Sequence, residues 1–128
     1  MNVTNIMNGL AREISLPVKQ DICTDVNPAW VVYNYADERD TEFADDNATA
    51  ETVYLQIHLF TPMVNKPEHN GINYANYQSY KRLIKSYLKS NSFFNISSQT
   101  FYEDDTKLRH TVFECQLTNN ITEWKGVI

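Results

Sequence analysis

Residues 52–61 read Thr-Val-Tyr-Leu-Gln-Ile-His-Leu-Phe-Thr, and this stretch decides the fold. Every second position in it is aliphatic: Val53, Leu55, Ile57 and Leu59. Because neighbouring side chains of a strand point to opposite faces, the alternation predicts a β-strand with one face on a hydrophobic core. The positions in between are aromatic or polar, a composition that suits a surface facing a partner.

Further segments on both sides of this stretch predict more strands. Residues 30–35 are rich in β-branched and aromatic side chains, which favour a strand. Residues 93–102 and 108–117 are separated by the acidic turn 103–106, so they predict a β-hairpin. Residues 17–23 carry a weaker strand signal.

Two segments have the periodicity of amphipathic helices. In residues 3–14 the apolar residues recur at spacings of three and four, so they share one face. Gly9 lies within this helix at a cost of about 1 kcal/mol relative to alanine, so packing against the rest of the domain must hold the helix. The second helix is predicted to follow its cap Asn73 and to end near Ser90-Asn91. Its apolar stripe consists of Tyr74, Tyr77, Tyr80, Leu83, Ile84, Tyr87 and Leu88.

The length of 128 residues suits one domain. Two one-sided helices and at least four one-sided strands predict an α+β fold. We expect a single domain over residues 1–118, with a mostly antiparallel sheet and both helices packed on one of its faces. Residues 119–128 are polar before Trp124 except for Ile121, which predicts a flexible C-terminal tail that can dock onto a partner.

Charge and composition exclude several classes of function. The net charge of −5 argues against sequence-specific binding of nucleic acid, because nucleic-acid binders usually present a net basic face. No apolar run approaches the roughly 20 residues that a membrane span needs, and the N-terminal residues do not read as a secretory signal. Cys23 and Cys115 are expected to be reduced thiols, partly buried, without a bound metal.

The sequence carries no motif for phosphate binding, zinc hydrolysis or a serine nucleophile, so we expect no cofactor, no metal and no catalytic residue. His58 and His110 are the candidates for acid–base chemistry, since both fall on the less aliphatic face of predicted strands and can meet across the sheet, near Glu114. A small hydrolase using this pair is one alternative. The simpler interpretation is that His58 and His110 are two imidazoles on the surface of the sheet without a catalytic role.

Two charged segments are candidates for an interface. Residues 37–47 are predicted to form a long acidic loop, with Asp37, Glu38, Asp40, Glu42, Asp45 and Asp46 as its acidic residues. The second helix carries basic residues largely off its apolar stripe: Lys81, Arg82, Lys85 and Lys89. A basic helix edge on an acidic chain fits a protein surface that recognises an acidic one. The alternative is that both segments only solubilise the chain.

Four stretches follow one another in an order that resembles a known family of phage proteins. They are residues 30–38 (WVVYNYADE), residues 53–61 (VYLQIHLFT), the helix 77–88 and the hairpin 102–115. The order is similar to that of the tail-terminator or tail-completion proteins of long-tailed bacteriophages, which act in tail-to-head joining. The likeness covers roughly residues 3–117.

This resemblance implies a small α+β domain that forms a ring, commonly a hexamer. The ring would cap the growing tail tube and supply the surface that joins the tail to the filled head. Its partners would be further copies of the chain, the major tail tube protein and the head-completion or connector protein. The chain would be found in the virion, at the tail–head junction, after assembly in the host cytoplasm. No cofactor and no reaction are implied.

A heterologous ring needs two complementary patches on each subunit, and the acidic segment against the basic helix of a neighbour is a candidate pair. Other interpretations stay open beside the tail terminator. They are a different neck component, such as a head-completion or minor tail protein, a small hydrolase that uses His58 and His110, and a monomeric binding module.

Overall fold

The computed structural model of the chain describes residues 3–24, 27–44, 47–63 and 74–120. Two helices and five strands occur in this part of the chain. They are α1 (Val3–Ile14), β1 (Val18–Gln20), β2 (Trp30–Ala44), β3 (Asn47–Pro62), α2 (Tyr74–Ser90), β4 (Phe94–Glu103) and β5 (Leu108–Asn120). No helix among them is long and apolar enough to cross a membrane.

The five strands form one sheet in the order β1-β2-β3-β5-β4. The short β1 lies parallel to β2, and every other neighbouring pair is antiparallel. The strand β3 lies at the centre and pairs with β2 on one side and β5 on the other, which explains why its sequence has the clearest alternation. The predicted α+β fold with a mostly antiparallel sheet is confirmed.

The core lies on one face of the sheet, beneath both helices. Alternate residues of the three central strands are buried there, among them Leu55, Ile57 and Phe113. The helices add apolar residues to the same cluster: Val3, Ile6, Met7, Leu10 and Ile14 from α1, and Tyr77, Ile84 and Leu88 from α2. Both helices therefore cover the same face, as the one-sided patterns predict.

The two helices meet at Gly9 of α1 and Tyr87 of α2. The Tyr87 hydroxyl donates a hydrogen bond of 2.7 Å to the carbonyl oxygen of Ile6. A Cβ atom at position 9 would collide with that hydroxyl. Glycine is therefore required by the close approach of α2, which outweighs its low helix propensity.

The acidic segment is a strand, so the prediction of a long loop over residues 37–47 is wrong. Residues 37–44 continue β2 and pair with β3 as far as Ala44 opposite Asn47, with register shifts on the way. Strand pairing uses backbone groups and needs no apolar alternation, whereas acidic residues are typical of turns, so the sequence pattern indicated a loop. Asp45 and Asp46 lie outside the described residues.

Two segments next to the described strands lie partly outside the described residues. The strand β3 ends at Pro62, and residues 64–73 are not described. The predicted tail is described only as far as Asn120, where β5 ends. Both cysteines are free thiols, with Cys115 buried and Cys23 half-buried, and burial raises the pKa of Cys115 to about 12.

Candidate functional site

The face of the sheet opposite the helices, which we call the open sheet face, carries the other alternate residues of the same strands. Cross-strand partners arrange these residues in three rows across β2, β3, β5 and β4. The rows are Trp30–Phe60–His110–Phe101, Val32–His58–Val112–Gln99 and Asn34–Gln56–Glu114–Ser97. Aromatic and imidazole rings thus share the first row, and polar side chains fill the third.

The first row is a stack of rings. Trp30 and Phe60 have ring centroids 5.0 Å apart at an interplanar angle of 16°, and Phe60 and His110 are 4.3 Å apart at 24°. The fourth ring, that of Phe101, is tilted by 59° at 6.3 Å from His110. Near-parallel stacked rings cover one another's faces.

His58 and His110 are in direct contact, as their positions in the sequence suggested. His58 Nδ1 lies 2.7 Å from His110 Nε2, and His58 Nε2 lies 2.8 Å from Asn34 Oδ1. An amide oxygen only accepts, so His58 Nε2–H donates to Asn34. In neutral His58 the Nδ1 atom then accepts a hydrogen bond from His110 Nε2–H.

Two further groups extend this network at its ends. Asn34 Nδ2–H donates to Gln56 Oε1 at 3.3 Å. At the other end Glu103 Oε2 lies 3.7 Å from His110 Nδ1, close enough for an ion pair when the imidazole is protonated. The carboxylate that reaches the pair is therefore Glu103, which the sequence placed in a turn, rather than Glu114.

The electrostatics of the pair favour a neutral His58. Partial burial lowers the pKa of His58, and the charge that His110 can carry lowers it further. Three of the four imidazole nitrogens of the pair are hydrogen-bonded, to each other and to Asn34, and the fourth, His110 Nδ1, lies 3.7 Å from Glu103 Oε2.

Shallow concavities lie on the open sheet face. One, of about 610 Å³, is lined by residues of β3, β4 and β5 that include His58, Ser97 and Glu114. A second, of about 400 Å³, lies between Trp30 and the segment that contains Ile22 and Cys23. Among the described residues no group of three or more His, Cys, Asp and Glu side chains could hold a metal ion.

The edge strand β4 is unusually exposed for its composition. Three of the five large hydrophobic residues that are exposed in the described structure belong to it: Phe94 (40%), Phe101 (47%) and Tyr102 (63%). From Ser97 to Glu103 the strand pairs with β5 without a register shift. Sequence reasoning identified β4 only as half of a hairpin, although its run of uncharged residues before Glu103 is visible in the sequence.

The basic helix face lies close to this edge, because Tyr77 anchors α2 over β4 and β5. The Tyr77 hydroxyl is hydrogen-bonded to Thr100 of β4 at 2.8 Å and to Thr111 of β5 at 3.1 Å. Lys81 Nζ lies 5.0 Å from the centroid of the Tyr77 ring, and the Arg109 guanidinium lies 5.1 Å from it. Lys81 therefore places a cation close to the strands at this edge, whereas the Arg109 guanidinium reaches towards β3, where its Nη1 atom donates to the carbonyl oxygen of Pro62 at 2.9 Å.

The surroundings of the Tyr77 hydroxyl also shift its acidity. Partial burial raises its pKa, but the hydrogen bonds with Thr100 and Thr111 and the charge of Lys81 lower it, and the lowering prevails. Of the other predicted basic residues, Arg82, Lys85 and Lys89 are exposed, and Arg82 lies 3.5 Å from the Ser79 hydroxyl.

Within one chain, the predicted acidic and basic interface residues lie near opposite edges of the sheet. Asp37, Glu38, Asp40 and Glu42 belong to β2, whereas α2 is anchored over β4 and β5. Two strands lie between β2 and β4, so these strands are separated by roughly 14 Å at about 4.8 Å per step. The two charged segments therefore do not contact each other across these strands, and each lies near a different edge of the sheet.

No protein-family model matches the chain, and no curated protein matches its sequence.

Proposed function

We propose that the chain is a non-enzymatic structural protein of a long-tailed phage virion that caps the tail tube and joins the tail to the head as a ring. The observation that carries this proposal is the placement of an acidic strand and a basic helix on opposite sides of one small sheet. Its other support is the similarity of the sequence pattern to tail-terminator proteins. Its partners would be further copies of the chain, the major tail tube protein and the head-completion protein.

Opposite charges near opposite edges of the sheet supply the two complementary patches that a ring of identical subunits requires. Each subunit in a ring uses one patch to contact the neighbour before it and a different patch to contact the neighbour after it. The acidic part of β2 and the basic face of α2 can play these two roles. Like charges keep two identical patches apart, so such a subunit prefers head-to-tail contacts to symmetric ones.

The geometry of His58 and His110 argues against the hydrolase alternative. Three of their four ring nitrogens are hydrogen-bonded to each other and to Asn34, and the fourth lies near Glu103. The concavities beside them are shallow and open to solvent, whereas active sites usually enclose much of the substrate. We therefore assign the pair to the architecture of the open sheet face.

The role in the virion is tested by negative-stain images of particles made without this chain. A tail terminator predicts tails of excess length that do not join to heads. Normal tails together with heads that leak their contents would instead indicate a head-completion protein. Normal, fully joined particles would contradict any role at the tail–head junction.

The contact between the charged patches is tested in solution by light scattering coupled to size-exclusion chromatography. Lys81→Glu together with Lys85→Glu should shift the chain from ring towards single subunits, and the loss should be smaller at high salt, where all such contacts are screened. Lys19→Glu together with Lys107→Glu is the matched control, since both lysines are exposed and the change in net charge is the same. Equal ring formation by the two variants would contradict the pairing.

A further inference from the structure

The outer edge of β4 lacks the features that usually keep an edge strand from pairing with another chain. Exposed edge strands are commonly blocked by lysine, proline or short length. The strand β4 spans ten residues and contains no lysine, arginine or proline, and its one acidic residue is Glu103 at its end. Its bulge lies near Phe94, so the seven residues from Ser97 to Glu103 remain regular.

A second edge with complementary properties occurs on the other side of the sheet. The outer side of β2 is paired with β1 only over residues 31–33, and from Asp37 to Ala44 no described strand lies beside it. This eight-residue segment holds four acidic residues and one basic residue. It is thus a strand edge of similar length to the regular part of β4, but with a strong negative charge.

We propose that β4 of one subunit pairs, edge to edge, with the acidic segment 37–44 of β2 from a second copy of the chain, so that the sheet continues from subunit to subunit. This inference rests on the ring of the proposed function and names how neighbouring subunits are joined. Backbone hydrogen bonds supply the contact, as in other complexes where an extended segment adds to a sheet edge.

The charges beside β4 select an acidic occupant. Lys81 of α2 lies 5.0 Å from the Tyr77 ring, and the Tyr77 hydroxyl is bonded to Thr100 in the middle of the regular part of β4. A strand added at this edge comes to lie near the helix that carries Lys81 and the exposed residues Arg82 and Lys85. Four carboxylates within eight residues give the segment of β2 the complementary charge.

The same charges act against the other pairings of these edges. Two β2 segments placed side by side would bring carboxylates opposite carboxylates, which is destabilising. Pairing of β4 with a second β4 brings the basic faces of the two α2 helices towards each other. It would also yield a closed dimer, whereas β4 with β2 joins different surfaces and continues to the next subunit.

A test by charge sign uses Ser98 and Gln99, which are exposed neighbours within the regular part of β4. Because neighbouring residues of a strand point to opposite faces of the sheet, charges at both positions reach the side chains of an added strand on either face. Ser98→Glu with Gln99→Glu should shift the ring to single subunits in size-exclusion light scattering. Ser98→Lys with Gln99→Lys, the matched variant, should keep the ring, because the added strand is acidic.

Each outcome of this test decides between specific possibilities. Loss of the oligomer with both variants would overturn the proposal. It would indicate pairing of β4 with β4, since like charges would then oppose each other in either variant. An unchanged ring with both variants, or a wild-type chain that stays monomeric at all concentrations, would overturn it as well. Circular dichroism of each variant establishes that the fold itself is retained.

Hydrogen–deuterium exchange of the full-length chain supplies an independent readout. On assembly, amides in residues 97–103 and in residues 37–44 should both become protected, compared with the diluted chain. Protection of neither segment would overturn the proposal. Failure of the edge pairing is distinguishable from failure of the proposed role in the tail. If particles made without the chain have overlong, unjoined tails but neither edge is protected, only the edge pairing is refuted. If both edges are protected but those particles are normal, only the role in the tail is refuted.

Discussion

The two faces of the sheet are built from alternate residues of the same strands, yet they differ in almost every property. On the covered face Leu55, Ile57 and Phe113 are fully buried beneath the helices. On the open face Gln56, His58 and Val112 occupy the positions between them and line a concavity. The first face holds the fold together, which leaves the second face and the edges free to be specialised for contacts.

The largest expected difference between the faces comes from removing a phenylalanine from each. Phe113 is 1% exposed on the covered face, and Phe113→Ala should lower the free energy of unfolding by about 3–5 kcal/mol. Phe101→Ala on the open face, at 47% exposure, should cost about 1 kcal/mol or less. Urea unfolding of the two variants measures both values, and equal losses would contradict the assignment of the core to one face.

A smaller effect is expected where the helices meet above the covered face. Gly9→Ala should destabilise the chain, although alanine favours helices by about 1 kcal/mol, because the new methyl group meets the Tyr87 hydroxyl. In the background of Tyr87→Phe the hydroxyl is gone, so Gly9→Ala should become neutral or stabilising. This double-mutant cycle is measured by chemical unfolding, and additive effects of the two substitutions would refute the contact.

On the open face the smallest effect is a dependence of stability on pH. The pKa of His58 is lowered by burial and by His110, so the unfolded chain binds a proton at this residue more readily than the folded chain does. The contribution of His58 is complete above its ordinary pKa of 6.5 and is lost as the pH falls through the lower, folded value. Protonation would also set its charge against that of His110, which faces it.

The measurement is urea unfolding of wild type and His58→Gln between pH 8 and pH 5. Wild type should lose stability on the acidic side, and the variant should lose less over the same range. NMR titration of the imidazole protons reports the pKa of His58 directly. A value at or above the ordinary one would contradict the buried, hydrogen-bonded position of this ring.

The covered face could be predicted from the sequence, because a buried face of a strand or helix requires apolar residues at regular spacings. The spacing in residues 3–14 gave α1 over its whole length, whereas the alternation in residues 52–61 gave only the C-terminal part of β3, which begins at Asn47. The contact between His58 and His110 could also be anticipated, since both are on the non-aliphatic side of neighbouring strands. Their diagonal positions in the register made the contact possible.

The edges of the sheet could not be predicted in the same way. Residues 37–44 are held in a strand by backbone pairing, which leaves no apolar pattern, and their acidic composition indicated a loop. The proximity of Glu103 to His110 could not be predicted either, because it depends on the pairing of β4 with β5 rather than on sequence spacing. The surfaces proposed to act in assembly are thus those that the sequence records least clearly.

One measurement tests most directly whether subunits join through opposite charges. A chain that combines Lys81→Glu and Lys85→Glu with Asp40→Lys and Glu42→Lys carries both patches with their signs exchanged. If the acidic strand of one subunit contacts the basic helix of the next, light scattering should show that this combined variant forms the ring that each pair of substitutions alone disrupts. If the combined variant stays dispersed, or if neither pair alone disturbs the ring, the account is wrong.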